Sequence, residues 1–239
     1  MVVALAQLVA PAVLPLAVPL VPLVAPTTLP SAVLLIVLVL GAYVTGSLPF
    51  ALWVGRLRGV DLRHHGSGNL GATNALRVLG PVWGLLTLLL DVGKGYVAVT
   101  VFPGLLGLGT VSGGSLWPLV AALASVLGHV FSPWLRFRGG KGVATTLGAF
   151  FALSPWAALA GVAAFVVTVW IWRYVSVGSQ VLAVTFTVST ALWGPPWPLR
   201  GYVLGLGVLL CVLIAWRHRA NWARVAAGTE SRFTWRRSS

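Results

Sequence analysis

Residues 31–55 read SAVLLIVLVLGAYVTGSLPFALWVG, a stretch without a charged side chain that Arg56 and Arg58 close. A helix needs about 20 mostly apolar residues to cross the hydrocarbon core of a bilayer. Hydrophobic residues make up 58% of the chain and charged residues 8%, whereas soluble domains contain about 25% charged residues. The sequence therefore predicts an all-α integral membrane protein.

Similar apolar stretches recur along most of the chain. Ser154-Pro155 is predicted to divide the uncharged run between Val143 and Trp172, because a proline ends a helix near the residue before it. Seven transmembrane helices result, or six if residues 143–153 do not cross fully. The predicted spans cover about 31–55, 81–103, 116–134, 143–153, 155–172, 177–193 and 201–217.

Lysine and arginine are divided unequally between the two sides of these spans, and cytoplasmic loops carry the excess. One side receives only Arg200. The other receives Arg56, Arg58, Arg63, Arg77, Arg136, Arg138, Lys141, Arg173 and the tail from Arg217 onward. We predict an N-terminus outside and a cytoplasmic C-terminus. Topology and an anionic ligand explain the net charge of +13 better than nucleic acid does, because no nucleic-acid motif is present.

Residues 1–30 are apolar but rich in proline, as in PAVLPLAVPLVPLVAPTTLP, and each proline removes a helix hydrogen bond. No basic region precedes them, which argues against an ordinary signal peptide. We predict a poorly ordered extension at residues 1–30 and a single transmembrane domain at residues 31–239. The one cysteine, Cys211, excludes a disulfide framework and a cysteine-based metal site.

The most polar segment is HHGSGNLGATNALR, residues 64–77. Its glycines, Gly66 and Gly68 with Gly71, allow positive φ and let backbone N–H groups converge on an anion. Arg77 adds a guanidinium suited to phosphate or carboxylate. Further hydrogen-bonding side chains come from Ser67, Asn69, Thr73 and Asn74. The alternative is a solvated loop with Thr73 or Asn69 as a helix cap, but such a loop would contain more Asp, Glu and Lys.

A second glycine-rich segment, FRGGKGVATTLG at residues 137–148, surrounds Lys141 with Gly139, Gly140 and Gly142. Backbone amides at a helix N-terminus together with a lysine predict a second anion site. The spacing does not match a P-loop. A topological anchor explains the neighbouring arginines but not these glycines.

Other polar residues interrupt the apolar spans. Asp91 and Lys94 are three residues apart and face the same way on a helix, which fits either a structural pair or support of the site. His129 is a core residue or a ligand contact. His218 and Asn221 share a helix face in the same manner. Glu230, the only glutamate, is predicted to pair with arginines.

Several enzyme classes are excluded by what the sequence lacks. Its three acidic residues, Asp61, Asp91 and Glu230, are too far apart for a two-metal carboxylate site or for the aspartate cluster of CDP-alcohol phosphotransferases. No His-x4-Asp acyltransferase motif and no G-x-S-x-G elbow is present. The remaining donors could hold a phosphorylated substrate against an already activated partner.

These motifs closely resemble the acyl-phosphate:glycerol-3-phosphate acyltransferase family of bacterial membranes. The resemblance covers roughly residues 40–230 and excludes the 1–30 extension. It rests on GSLPF, DLRHHGSGNLGATNALRVLG, LLLDVGKG, LGHVFSPWLRFRGGKGVATTLG and HRANWARVAAGTE. It implies a seven-helix, multi-pass enzyme of the bacterial inner membrane whose active site faces the cytoplasm. The enzyme would move a fatty acyl group from acyl phosphate to the sn-1 hydroxyl of glycerol 3-phosphate, giving lysophosphatidic acid and phosphate for phospholipid biosynthesis.

The resemblance also implies roles for individual residues. Ser67, Lys141, His218 and Asn221 are expected to be catalytic. The expected substrate-binding residues are Gly66, Gly68, Asn69, Thr73, Asn74, Arg77, His129, Gly139, Gly140 and Gly142. A phosphate oxygen would help to take the hydroxyl proton. We expect no metal or other cofactor, a monomer surrounded by membrane lipid, and no nucleic-acid partner. The rival interpretations are a small transporter of anions or organophosphates and a structural membrane subunit.

Overall fold

The computed structural model describes residues 30–233, and all regular secondary structure in this range is helical. The helices are α1 (Ser31–Ser47), α2 (Phe50–Leu57), α3 (Ala72–Leu79), α4 (Pro81–Leu105), α5 (Trp117–Val130), α6 (Val143–Leu153), α7 (Pro155–Trp172), α8 (Val175–Trp193), α9 (Leu199–Arg217) and α10 (Arg219–Ala226). A 3-10 turn at Pro133–Leu135 follows α5. The predicted all-helical class is confirmed for this range. The extension predicted at residues 1–30 lies outside it, apart from Pro30.

Six helical segments within residues 30–233 are long and apolar enough to cross a membrane. They are Ser31–Leu57, Pro81–Leu105, Trp117–Leu135, Pro155–Trp172, Val175–Trp193 and Leu199–Arg217, with mean hydropathy between 1.5 and 2.2. Large apolar side chains such as Ile36, Leu40 and Val188 point outward. An exposed apolar surface of this extent is suited to lipid rather than water. The chain is therefore a multi-pass membrane protein.

The fourth predicted span, α6, which decides between six and seven crossings, has 11 residues and rises only about 16 Å. Its end matches the prediction, because Ser154 separates it from Pro155 of α7. The Ser154 hydroxyl donates to the carbonyl of Trp193, at the end of α8. Lys141, just before α6, donates to Asn221, just after α9. The two ends of α6 therefore contact the end of α8 and the start of α10, but α6 is shorter than the six segments above, and a seventh full crossing stays a prediction.

The first predicted span is not one continuous helix. α1 ends at Ser47 and α2 begins at Phe50, because Pro49 has no N–H and disfavours helical backbone at Leu48. The Lys94 ammonium donates to the Leu48 carbonyl at 2.9 Å and lies 2.8 Å from Asp91 Oδ1. The predicted pairing of Asp91 with Lys94 is confirmed, and the pair stabilises the break between α1 and α2.

Glycines bring the central helices close together. A side chain on Gly46 of α1 would collide with the backbone of α5, and one on Gly128 of α5 would collide with the backbone of α1. Gly95 of α4 and Gly148 of α6 have the same reciprocal relation. Small residues let membrane helices approach until their backbones touch. This packing fixes the end of α5 and the start of α6, between which Lys141 lies.

Candidate active site

The serine loop, residues 62–74, is organised by the buried side chain of Asn74. Its amide nitrogen donates to the carbonyls of Leu62 (3.2 Å) and His65 (3.0 Å), and its oxygen accepts from the backbone N–H of Ser67 (2.8 Å). Gly66 has a φ of +62°, and a side chain there would collide with the Asn74 oxygen. One amide therefore determines the shape of the loop.

Four predicted site residues of this region have polar side chains without hydrogen bonds to any described residue. They are Ser67, Asn69, Thr73 and Arg77, of which Ser67 and Arg77 are exposed. Thr73 and Arg77 are four residues apart and lie on one face of α3. α3 begins after Gly71, whose φ is −145°, and no side chain caps it. The cap predicted as the alternative is therefore absent from this helix.

The lysine turn, residues 136–142, packs against the end of α5 through its backbone. The N–H of Gly139 donates to the Val130 carbonyl at 3.0 Å, and the N–H of Gly140 donates to the His129 carbonyl at 3.2 Å. Side chains at these glycines would collide with the His129 backbone and imidazole, respectively. Both amides are therefore already engaged, which leaves them no hydrogen for an anion in this conformation.

Lys141 begins a chain of polar contacts that ends at Glu230. The Lys141 ammonium donates to Asn221 Oδ1 (2.5 Å), and Asn221 Nδ2 donates to Glu230 Oε1 (2.6 Å). Glu230 also accepts from Ser176 at 3.0 Å and Arg224 at 2.8 Å. Its predicted pairing with an arginine is confirmed. Burial opposes ionisation of Glu230, but these hydrogen bonds outweigh it and hold its pKa below the usual range.

The Lys141 ammonium is partly buried and lies near other cations. Burial lowers its pKa to about 8; Glu230 opposes this shift, whereas Arg224, Arg217 and Arg77 add to it. At neutral pH the group remains a cation. Its charge is weakly compensated, because a single neutral amide accepts its hydrogen bond. An anionic ligand would supply the missing countercharge.

His218 is buried beside Lys141 and stays neutral. Burial, followed by the charge of Lys141, lowers its pKa to about 4. Its Nδ1 lies 2.8 Å from the Ile214 carbonyl, which only accepts, so the proton is assigned to Nδ1. Nε2 is then a hydrogen-bond acceptor, and it has no hydrogen-bond donor among residues 30–233.

The serine loop and the lysine turn lie at the same end of the bundle. Leu62 and Leu70 of the loop share an apolar cluster with Leu135, just ahead of the turn. Leu70, His129, Leu135 and Gly140 line one small cavity. His129 lies beneath the turn, with Nδ1 3.8 Å from Asp91 Oδ1. The expected proximity of the two segments is therefore observed.

Sequence reasoning missed three residues of this region. Arg217, interpreted only as a topological charge, donates from Nη2 to the Gly139 carbonyl at 2.8 Å. Ser176 and Arg224 hold Glu230. Arg217 lies four residues before Asn221 and one before His218, so helical spacing could have indicated it. Nothing local marks Ser176, which the return of the C-terminal segment brings into contact.

The family model for glycerol-3-phosphate acyltransferase matches residues 36–228. The chain belongs to the glycerol-3-phosphate acyltransferase family. A glycerol-3-phosphate acyltransferase from Geotalea daltonii is 41% identical over 195 residues, covering 82% of this chain and 95% of the relative. Another from Trichlorobacter lovleyi is 42% identical over 195 residues, with the same coverage. The resemblance inferred from the motifs is confirmed, and this acyltransferase family member is an enzyme.

Solved structures of the family share the fold. One is the glycerol 3-phosphate form of PlsY (YgiH), an integral membrane glycerol 3-phosphate acyltransferase. It has a TM-score of 0.73 and 37% identity, covering 84% of this acyltransferase and 96% of that chain. The lysophosphatidic acid form of PlsY has a TM-score of 0.72 and 36% identity, covering 84% and 95%.

Proposed function

We propose that this acyltransferase moves a fatty acyl group from acyl phosphate to the sn-1 hydroxyl of glycerol 3-phosphate, releasing lysophosphatidic acid and inorganic phosphate. The observation that carries the proposal is the meeting of the serine loop and the lysine turn at one end of the bundle. Cations and neutral donors gather there around the partly buried Lys141 ammonium. The PlsY forms with glycerol 3-phosphate and lysophosphatidic acid support this acceptor and product.

We assign phosphate binding to side chains whose donors are free or can be released from a neutral partner. Arg77 provides a guanidinium, and Ser67, Asn69 and Thr73 provide neutral hydrogen bonds from the serine loop. Lys141 provides the second charge from the lysine turn. The glycines act through shape: Gly66 and Gly68 give the loop its positive-φ turns, and Gly142 precedes α6 with a φ of +85°. The amides of the first turn of α6 face the same end.

Four of the expected substrate-binding residues are engaged inside the protein and act on the substrate indirectly. Asn74 uses both ends of its amide on the serine loop. Gly139 and Gly140 use their N–H groups on α5, and His129 packs beneath them. We therefore assign these residues to shaping the site rather than to contacting the substrate.

The chemistry needs no enzyme nucleophile, because the acyl carbon of an acyl phosphate is already activated. The sn-1 oxygen forms a bond to this carbon, and the bond from the carbon to the phosphate oxygen breaks. Lys141 and Ser67 stabilise the charge that develops on the oxyanion and the leaving phosphate. Asn221 and His218 Nε2 orient the glycerol. The hydroxyl proton leaves with phosphate, because a histidine whose pKa is about 4 is a weak base.

We place this site at the cytoplasmic face of the bacterial inner membrane. The clustering of basic loops supports that orientation, with the N-terminus outside. The contacts at the two ends of α6, with Trp193 at the end of α8 and with Asn221 after α9, support seven crossings, of which α6 would be the fourth and shortest. Residues 31–239 would form one monomeric domain in membrane lipid.

The test is an assay of the purified protein with palmitoyl phosphate and glycerol 3-phosphate, following phosphate release and lysophosphatidic acid. We expect both products, and a loss of at least about 100- to 1000-fold in Lys141→Ala. Arg138→Ala removes an exposed cation from the same turn and should retain activity. No product with wild-type protein, together with glycerol 3-phosphate uptake into proteoliposomes, would favour a transporter instead. Retained activity in Lys141→Ala would exclude the lysine from the site.

A further inference from the structure

Arg217 joins the lysine turn to the helix that holds the other polar site residues. It is the last residue of α9 and is partly buried. Nη2 of its guanidinium donates to the Gly139 carbonyl at 2.8 Å. The N–H of the same Gly139 donates to Val130 at the end of α5. Gly139 is therefore bonded to two helices at once, two residues before Lys141.

Within residues 30–233, one other hydrogen bond joins the lysine turn to the segment formed by α9 and α10. That link runs from Lys141 Nζ to Asn221 Oδ1. Under the proposed function, Lys141 must give up this contact when its ammonium binds phosphate. The bond from Arg217 to Gly139 uses a backbone carbonyl and no substrate-binding group. It can therefore persist while Lys141 changes partners.

The environment of Arg217 indicates a role beyond packing. Its Nε is buried without a hydrogen-bond partner among the described residues. Leaving such a donor unsatisfied is costly, and native structures do so rarely. Both Arg217 and Arg219 lie over the Trp216 ring, at 5.7 and 4.9 Å. Arg219 differs because it is exposed and donates to the Trp216 carbonyl instead of the lysine turn.

We propose that Arg217 is a positioning residue for acyl transfer. Its guanidinium clamps the Gly139 carbonyl, and this contact holds the lysine turn in register with α10 while the Lys141 ammonium moves from Asn221 to the substrate. The inference rests on the proposed function for its kinetic consequence. The clamp itself is a property of the protein without substrate.

The kinetic test compares Arg217→Gln, Arg217→Lys and the control Arg219→Gln in the palmitoyl phosphate assay. A charge-assisted hydrogen bond is lost in Arg217→Gln, and we expect kcat to fall about 10- to 100-fold. KM should change less than about threefold, because Lys141 and Arg77 still bind phosphate while fewer complexes are aligned. Arg217→Lys can still donate to Gly139 and should recover kcat to within about threefold of wild type. Arg219→Gln should match wild type.

Hydrogen exchange tests the clamp without substrate. In Arg217→Gln the amides of Gly139 and Gly140 should exchange faster, while Arg219→Gln should leave the peptide covering residues 136–142 unchanged. Wild-type exchange and wild-type kcat in Arg217→Gln would overturn the inference, as would an Arg217→Lys variant as impaired as a folded Arg217→Gln. If the wild-type protein forms no product in the assay, the proposed function is refuted. The exchange result would still show whether Arg217 holds the lysine turn.

Discussion

The serine loop and the lysine turn are both rich in glycine, yet they are built in opposite ways. The serine loop is held by one buried side chain, Asn74, and leaves Ser67 and Arg77 free of hydrogen bonds to the described residues. The lysine turn is held by its backbone, through Gly139 and Gly140, and its functional side chain is occupied by Asn221.

The difference indicates that the two segments meet a ligand differently. Asn74 already holds the backbone of the serine loop, and the free donor side chains need break no internal hydrogen bond when they bind. In the proposed mechanism Lys141 exchanges a neutral amide for phosphate, which is favourable because the partly buried ammonium gains a countercharge. Preorganised donors contribute most to transition-state stabilisation, whereas an exchangeable lysine can follow charge from substrate to leaving group.

Within the serine loop, removing the free charge should have the largest effect. We expect Arg77→Gln to lower kcat/KM about 100-fold, because a guanidinium that binds phosphate is lost. Arg77→Lys should recover only part of the lost kcat/KM, because a lysine cannot form a bidentate contact with phosphate. The control is Arg63→Gln, where the exposed arginine pairs with Asp61 and the change should stay within about twofold. Equal effects in the two variants would contradict the assignment.

Variants of two asparagines in the serine loop distinguish a residue that holds the loop, Asn74, from one proposed to bind the substrate, Asn69. Asn74→Ala leaves the Leu62 and His65 carbonyls and the Ser67 N–H without their partner, so we expect a loss of about 1–3 kcal/mol in the free energy of unfolding. Asn69→Ala removes no internal bond and should change stability by no more than about 0.5 kcal/mol, while it weakens substrate binding. Denaturation in detergent and KM measurements check both. A more stable Asn74→Ala variant would show that the amide does not build the loop.

A smaller effect is expected from the ionisation of Lys141 in the lysine turn. It should appear in the pH dependence of kcat/KM, which reports on the free enzyme. Because the pKa of Lys141 is lowered to about 8, the ammonium is charged below this pH and kcat/KM should fall as the pH rises through it. Glu230 raises the pKa of Lys141, so Glu230→Gln should move this basic limb to lower pH. A basic limb that stays at the same pH in Glu230→Gln, or moves to higher pH, would contradict the assigned effect of Glu230 on Lys141.

Much of the fold follows from local sequence. Apolar length and proline position predict most spans and the break at Ser154-Pro155, and the glycines at 66 and 68 predict positive φ. The same proline rule, applied to Pro49, would have divided the first span, where the continuous apolar run concealed the break. Helix contacts between distant glycines cannot be derived from local patterns, because each depends on a backbone elsewhere in the chain.

The sequence indicates which residue types form the candidate site, but it does not indicate how each side chain is used. The sequence places Asn69 and Asn74 in one motif, and either could bind a ligand. Only the fold shows that Asn74 turns inward onto three backbone groups. Arg217 was counted as a topological charge because its partner, the Gly139 carbonyl, lies 78 residues away along the chain. Hydrogen-bond partners brought together by tertiary packing leave no local signal.

A crystal structure of this acyltransferase with glycerol 3-phosphate tests the central claim most directly, namely a preorganised serine loop facing an exchangeable lysine. We predict an unchanged serine loop with all three Asn74 hydrogen bonds intact, phosphate bound by Arg77 and Lys141, and Lys141 Nζ no longer on Asn221. A serine loop rearranged around the ligand, or Lys141 still bonded to Asn221 with the phosphate held elsewhere, would contradict the account.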